Sequence, residues 1–194
     1  DVGVKRKLDE ADPIARLLGS LRRGDHILIS GATSTGKTTL MNTLIRMLNP
    51  KLRIITVEDT SEISVPQPNH YHVLMNRSGQ SNKMDYKGVV DLVVRSTPDI
   101  VMAGEISTKN AATIWELMRS GHGHFMTTIH AESVREALDT FITRIAHTSP
   151  GEVANRAEVA QMMRDKLRII QMNRVDVPDP KNPGRTISVR RITD

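Results

Sequence analysis

The chain contains no cysteine, which removes disulfides, thiol nucleophiles and cysteine-ligated zinc or iron–sulfur centres from consideration. Aromatic residues are scarce: Trp115, Tyr71, Tyr86, Phe125 and Phe141 are the complete set. Stacking platforms for single-stranded nucleic acid need several aromatics close together, so nucleic acid is not expected as a direct ligand. No apolar run approaches the roughly 18 residues of a membrane span. The opening residues, DVGVKRKLDEAD, lack a secretory h-region, and the expectation is a soluble chain without an export signal. Charge is nearly balanced, with 27 Lys+Arg against 22 Asp+Glu and a net +5. That excess suits phosphates, nucleic acid or an anionic membrane face, and equally an ordinary solvated surface.

What is present is enough for one domain: 194 residues at roughly 100–200 per domain. With so few aromatics, the ten methionines and the many Ile, Leu and Val must fill the core. Residues 1–12 are charged and read as a linker or arm. Asp12-Pro13 reads as an N-cap followed by proline at the first helical position, opening a helix with Ile14, Leu17, Leu18 and Leu21 on one face. Strand and helix patterns then alternate. Short apolar runs at 27–30, 53–57, 70–75, 100–103 and 125–129 are separated by amphipathic stretches at 38–48, 86–95 and 111–119. Such alternation indicates a parallel sheet with crossover helices. Ser133/Glu136 and Ser149/Glu152 each match a capping box. The tail, 167–175 and 186–192 around DPKNPGR, reads as a hairpin.

The strongest motif is Gly31-Ala32-Thr33-Ser34-Thr35-Gly36-Lys37-Thr38, followed by Thr39. It lies between a strand and an amphipathic helix, where a phosphate-binding loop has to lie. Its backbone amides and the following helix N-terminus aim positive dipoles at an anion. The lysine reaches the β- and γ-phosphates, and the Thr38 hydroxyl can ligate Mg²⁺. Glu58, Asp59 and Glu62 follow the second strand, and Glu105 follows IVMAG. Strand carboxyl ends converge on the ligand crevice of a parallel sheet. One carboxylate there can hold a metal while another orients water. His130 ends the fifth strand and faces the same edge, either sensing phosphate or serving as an ordinary surface residue. His122 and His124 have no carboxylate in ligand spacing, so zinc is discounted. Asp9-Glu10-Ala11-Asp12 precedes the loop and Ser78-Gly79-Gln80 has the wrong flanks; neither is counted.

GATSTGKT, VEDTSEI, STPDIVMAGEI and SGHGHFMTTIHAES, in that order, resemble the phosphate loop, acidic box, Walker B and histidine box of the secretion (traffic) ATPases, type IV secretion branch. The resemblance runs from about residue 17 to 145. It implies an α/β, RecA-like P-loop NTPase core across 1–194: a mostly parallel sheet with helices on both faces and a C-terminal hairpin. It further implies ATP and Mg²⁺ as cofactors and a hexameric cytoplasmic motor at the inner face of the bacterial inner membrane, partnered by secretion-machine components. By resemblance, Lys37 and Thr38 bind phosphate and metal, with Asp59 and Glu105 also near the metal. Glu58, Glu62, Glu105 and His130 are the catalytic candidates, and the choice between Glu62 and Glu105 for positioning water stays open. Arg95 matches a family arginine. Ser107 and Thr108 stand where the family usually has an arginine and an acidic residue, and the family's N-terminal domain is expected to be absent. A docking module that binds ATP with little turnover, and a DNA-translocating motor, are the alternatives.

Overall fold

A computed structural model describes residues 12–75 and 86–193. The element order is α1 (Pro13–Arg23), β1 (His26–Gly31), α2 (Lys37–Met47), β2 (Ile54–Glu58), β3 (His70–Leu74), α3 (Tyr86–Ser96), β4 (Ile100–Ala103), α4 (Ala111–Arg119), β5 (His124–Ile129), α5 (Val134–Thr148), a 3₁₀ turn (Pro150–Val153), α6 (Arg156–Lys166), β6 (Leu167–Pro178) and β7 (Thr186–Ile192). The seven strands form one sheet in the order β3-β2-β4-β5-β1-β6-β7. Every neighbouring pair is parallel except β6 and β7, which form the antiparallel hairpin.

Strand side chains alternate faces, so each strand supplies two cores. Ile27, Ile29, Ile54, Ile100 and Met102 pack with α1 and α2 residues such as Leu21, Met41, Leu44 and Ile45. Leu28, Ile55, Val101 and Phe125 pack on the other face with Val93, Trp115, Phe141 and Met163 from α3, α4, α5 and α6. Burial on both faces explains why these strands read as continuous apolar runs.

Most of the expected elements form. Asp12 caps α1 through a bond from the Ile14 amide to its Oδ1 at 2.9 Å, and Ser133 caps α5 by accepting from the Glu136 amide at 3.1 Å. The second capping box is a correction. Ser149 makes no side-chain cap and opens only the Pro150–Val153 turn. The helix that follows is capped by Asn155, whose Oδ1 accepts from the Glu158 amide at 3.3 Å. Asn155 carries the same acceptor three residues before an acid, and proline's fixed φ closes the earlier turn tightly. The expected arm at 1–12, apart from Asp12, and Ser78-Gly79-Gln80 lie outside the described residues.

His26, at the amino end of β1, bolts the sheet to α4. Its Nε2–H donates to the Met118 carbonyl at 3.1 Å, and Nδ1 accepts from the Phe125 amide at 3.0 Å. The ring also meets Phe125 edge-on at 6.0 Å. Only the neutral tautomer satisfies both bonds. Burial pushes its pKa from the ordinary 6.5 down to about 4, a shift the Met118 carbonyl bond resists. The folded state therefore rejects a proton that the unfolded chain accepts. Stability from this group is complete above about pH 6.5 and is lost as pH falls towards 4, amounting to about 3 kcal/mol. Urea midpoints measured from pH 7 to 4 are expected to fall more steeply for the natural chain than for His26→Gln, which keeps a donor and an acceptor but cannot titrate. Equal slopes would contradict this role.

Candidate functional site

Four strand ends build one cleft. After β1 the chain wraps as residues 31–38 and enters α2. Gly31 is required by close approach: a Cβ there would stand 2.5 Å from both the Met172 carbonyl oxygen and Thr35 Oγ1. Thr35 is buried and donates to the Ala32 carbonyl at 2.8 Å, which closes the curl from inside. Thr33, Ser34, Gly36, Lys37, Thr38 and Thr39 face a cleft of about 610 Å³, a size suited to a small molecule. Gly31, Ala32 and Thr35 stand behind that lining.

Lys37 is buried and folds back on its own loop, donating to the carbonyls of Gly31 at 2.8 Å and Ala32 at 2.9 Å. Burial pulls its pKa below the usual 10.5, and the Glu105 carboxylate resists that shift. The ammonium also stands 3.4 Å from His130 Nδ1. On the other side of the ring, Nε2 is 3.5 Å from Glu105 Oε2. An ammonium can only donate and a carboxylate can only accept, so His130 carries its proton on Nε2. Lysine, histidine and glutamate thus stand in a row from the start of α2 and the ends of β5 and β4.

The acidic residues divide by position. Glu58 is 2% exposed, and its Oε1 accepts from the amides of Glu62 and Ile63, both at 2.9 Å. That carboxylate braces the acidic loop from beneath. Its Oε2 has no hydrogen-bond partner and lies 4.0 Å from His72 Nδ1. The brace presents Glu62, whose Oε2 accepts from the Thr38 hydroxyl at 3.4 Å. Asp59 is exposed at the cleft wall. Hydroxyl and carboxylate oxygens converging on one spot are the hard donors that Mg²⁺ prefers, so the residues fit that ion. Arg95 ends α3, exposed and away from the cleft lining.

Sequence reasoning missed the parts that hold Glu105. Asn110 spans its loop, donating from Nδ2 to the Glu105 carbonyl at 2.8 Å and accepting from the Ser107 amide at 2.7 Å. Arg144, from α5, donates to the Ile106 carbonyl. An Asn five residues beyond a strand-end acid is a faint signal, and a guanidinium from a distant helix leaves none. Asn110→Ala removes both clamps and is expected to cost about 1–2 kcal/mol in urea denaturation. An unchanged midpoint would show that the loop holds itself.

Comparison with known proteins places this geometry. Residues 8–167 match the family described as Type II/IV secretion system protein. The chain belongs to that family. It is 31% identical over 153 residues to the type IV secretion system protein VirB11 of Bartonella quintana (strain Toulouse), covering 78% of this chain and 43% of that one. With protein VirB11 of Agrobacterium fabrum it shares 26% identity over 171 residues, 88% of this chain and 50% of the other. It therefore spans about half the length of these relatives. Among solved structures, the VirB11 ATPase of the Brucella suis type IV secretion system, in complex with sulphate, superposes with a TM-score of 0.75 at 20% identity, covering 95% of this chain and 51% of that one. The pilus retraction motor PilT with bound ADP gives 0.62 at 19%, covering 97% and 51%. The fold is the RecA-like α/β core of the secretion ATPases: a seven-stranded, mostly parallel sheet with helices on both faces and a C-terminal hairpin.

Proposed function

We propose that this chain binds ATP with Mg²⁺ and hydrolyses it, as the ATPase core of a type IV secretion or pilus-assembly protein. The observation that carries the reading is the row Lys37–His130–Glu105 beside the loop of residues 31–38. In this reading the loop amides and Lys37 take the β- and γ-phosphates, with the ammonium leaving its carbonyl partners for stronger anionic ones. Thr38, Glu62 and Asp59 hold the metal side. Mg²⁺, when bound, neutralises phosphate charge and polarises the phosphoryl oxygens.

Glu105 is the acid that orients water. It faces the cleft on the phosphate side, whereas Glu62 is engaged with Thr38 and Glu58 with the loop amides. Water adds to the γ-phosphorus, the bond to the β,γ-bridging oxygen breaks, and ADP leaves with inorganic phosphate. His130 keeps Glu105 aimed by donating from Nε2. Its Nδ1 lone pair keeps Lys37 turned into the loop.

In this reading residues 1–194 form a single ATPase domain. The protein works, in this reading, as a homo-oligomer, a hexamer, on the cytoplasmic face of a secretion machine; the names of its relatives support the secretion-system role alone. Phosphate release from Mg-ATP tests hydrolysis. Sustained release is expected, and tight binding with none would favour the nucleotide-gated docking module.

A further inference from the structure

The cleft has one wall that comes from neither the phosphate loop nor the parallel strand ends. Arg190, on the edge strand β7, reaches back across 156 positions of sequence and donates from Nε to the Ser34 carbonyl at 3.1 Å. Its aliphatic stem lies against Gly36. A Cβ on Gly36 would stand 2.8 Å from Arg190 Cδ, and the loop holds φ +90° there. Gly36 thus serves two ends, turning the chain into α2 and leaving room for the arginine. Arg190 lines the cleft with Lys37 and Thr38.

Charge around the cleft is unbalanced for a polyphosphate. Its lining includes Glu58, Asp59, Glu62 and Glu105, while Lys37 and Arg190 are its only lysine or arginine among the described residues. Across the hairpin Arg190 pairs directly with Arg174, and like charges set opposite each other are destabilising. Neither guanidinium has a carboxylate partner among the ion pairs of the described residues. Arg190 thus stands at the cleft beside a like-charged cross-strand neighbour, an arrangement that an anion relieves.

We infer that Arg190 binds the phosphates of the nucleotide, so that the C-terminal hairpin is part of the nucleotide site. The inference rests on the nucleotide reading above. The guanidinium donates from Nε to the Ser34 carbonyl, and its remaining N–H groups are the donors that meet phosphate. Arginine's fork suits two phosphate oxygens at once, so the bound nucleotide and β7 become mechanically joined.

The test is calorimetric titration of Mg-ADP into the natural chain, Arg190→Gln and Arg190→Lys, each also melted without nucleotide. Glutamine retains a donor for the Ser34 carbonyl but has no charge. Arg190→Gln is expected to melt like the natural chain yet bind about tenfold more weakly, the scale of one charged hydrogen bond. Arg190→Lys should recover part of the loss. Binding by Arg190→Gln within twofold of the natural chain would overturn the inference while leaving the nucleotide site intact. If Arg190→Gln melts early, Arg190→Lys decides: melting normally, it must bind more weakly than the natural chain, and equal binding overturns the inference. No binding by the natural chain would overturn both.

Discussion

Lys37→Ala is expected to lower Mg-ATP turnover by at least about a hundredfold, the scale of losing one preorganised charge at a developing anion. Lys37 is held almost out of solvent, at 7% exposure, by the carbonyls of Gly31 and Ala32. On binding phosphate the ammonium exchanges those carbonyls for anionic partners without first being stripped of bulk water. Water cannot replace it, because a hydrated ion would have to be desolvated at the moment charge shifts to the bridging oxygen. Truncation leaves the buried Gly31 carbonyl without its Lys37 donor, a cost on the scale of one hydrogen bond. Phosphate release is the readout, with a thermal melt as control. Turnover within a few fold of the natural chain, in a protein that melts normally, would remove Lys37 from the chemistry.

Glu105→Gln separates binding from reaction. The neutral amide, with one acceptor oxygen in place of two, accepts from water and from His130 Nε2, 3.5 Å away in the natural chain, more weakly than a carboxylate. Turnover should fall about 10²–10⁴-fold, the usual span for a positioned acid–base group. Affinity for Mg-ATP should stay equal or rise, because a carboxylate facing the γ-phosphate opposes it. The measurement is single-turnover phosphate release alongside equilibrium binding. A loss confined to affinity would make Glu105 a metal ligand rather than the group that positions water. Glu62→Gln is the matching control, since its partner is the Thr38 hydroxyl and its loss should raise the Mg²⁺ concentration needed for turnover.

The alternation of strands and helices was legible because each strand is buried on both faces and each helix carries one apolar stripe. Lys37, Thr38, Glu62, Glu105 and His130 were legible because strand ends in a parallel sheet point one way, and all five come together at the cleft. Contacts distant in sequence were not legible. Glu58 reads in sequence as a catalytic candidate and Asp59 as a residue near the metal, yet Glu58 is buried beneath the acidic loop and Asp59 is exposed, a difference fixed by how residues 59–63 fold over it. Asn110, Arg144 and Arg190 act through backbone carbonyls of other segments, which no spacing rule encodes. Ser149 and Asn155 show the local limit: two acceptors with equally good sequence signals compete for one helix start, and the proline-led turn takes the first.

In the proposed function, residues 31–38 grip a polyphosphate opposite the carboxylates of neighbouring strand ends. Calorimetry of ADP added to the full chain, with and without Mg²⁺, tests it most directly. Saturable heat with micromolar affinity that strengthens with the metal and vanishes in Lys37→Ala is the expected result. Absence of heat from the natural chain, or heat that Lys37→Ala preserves, would contradict it.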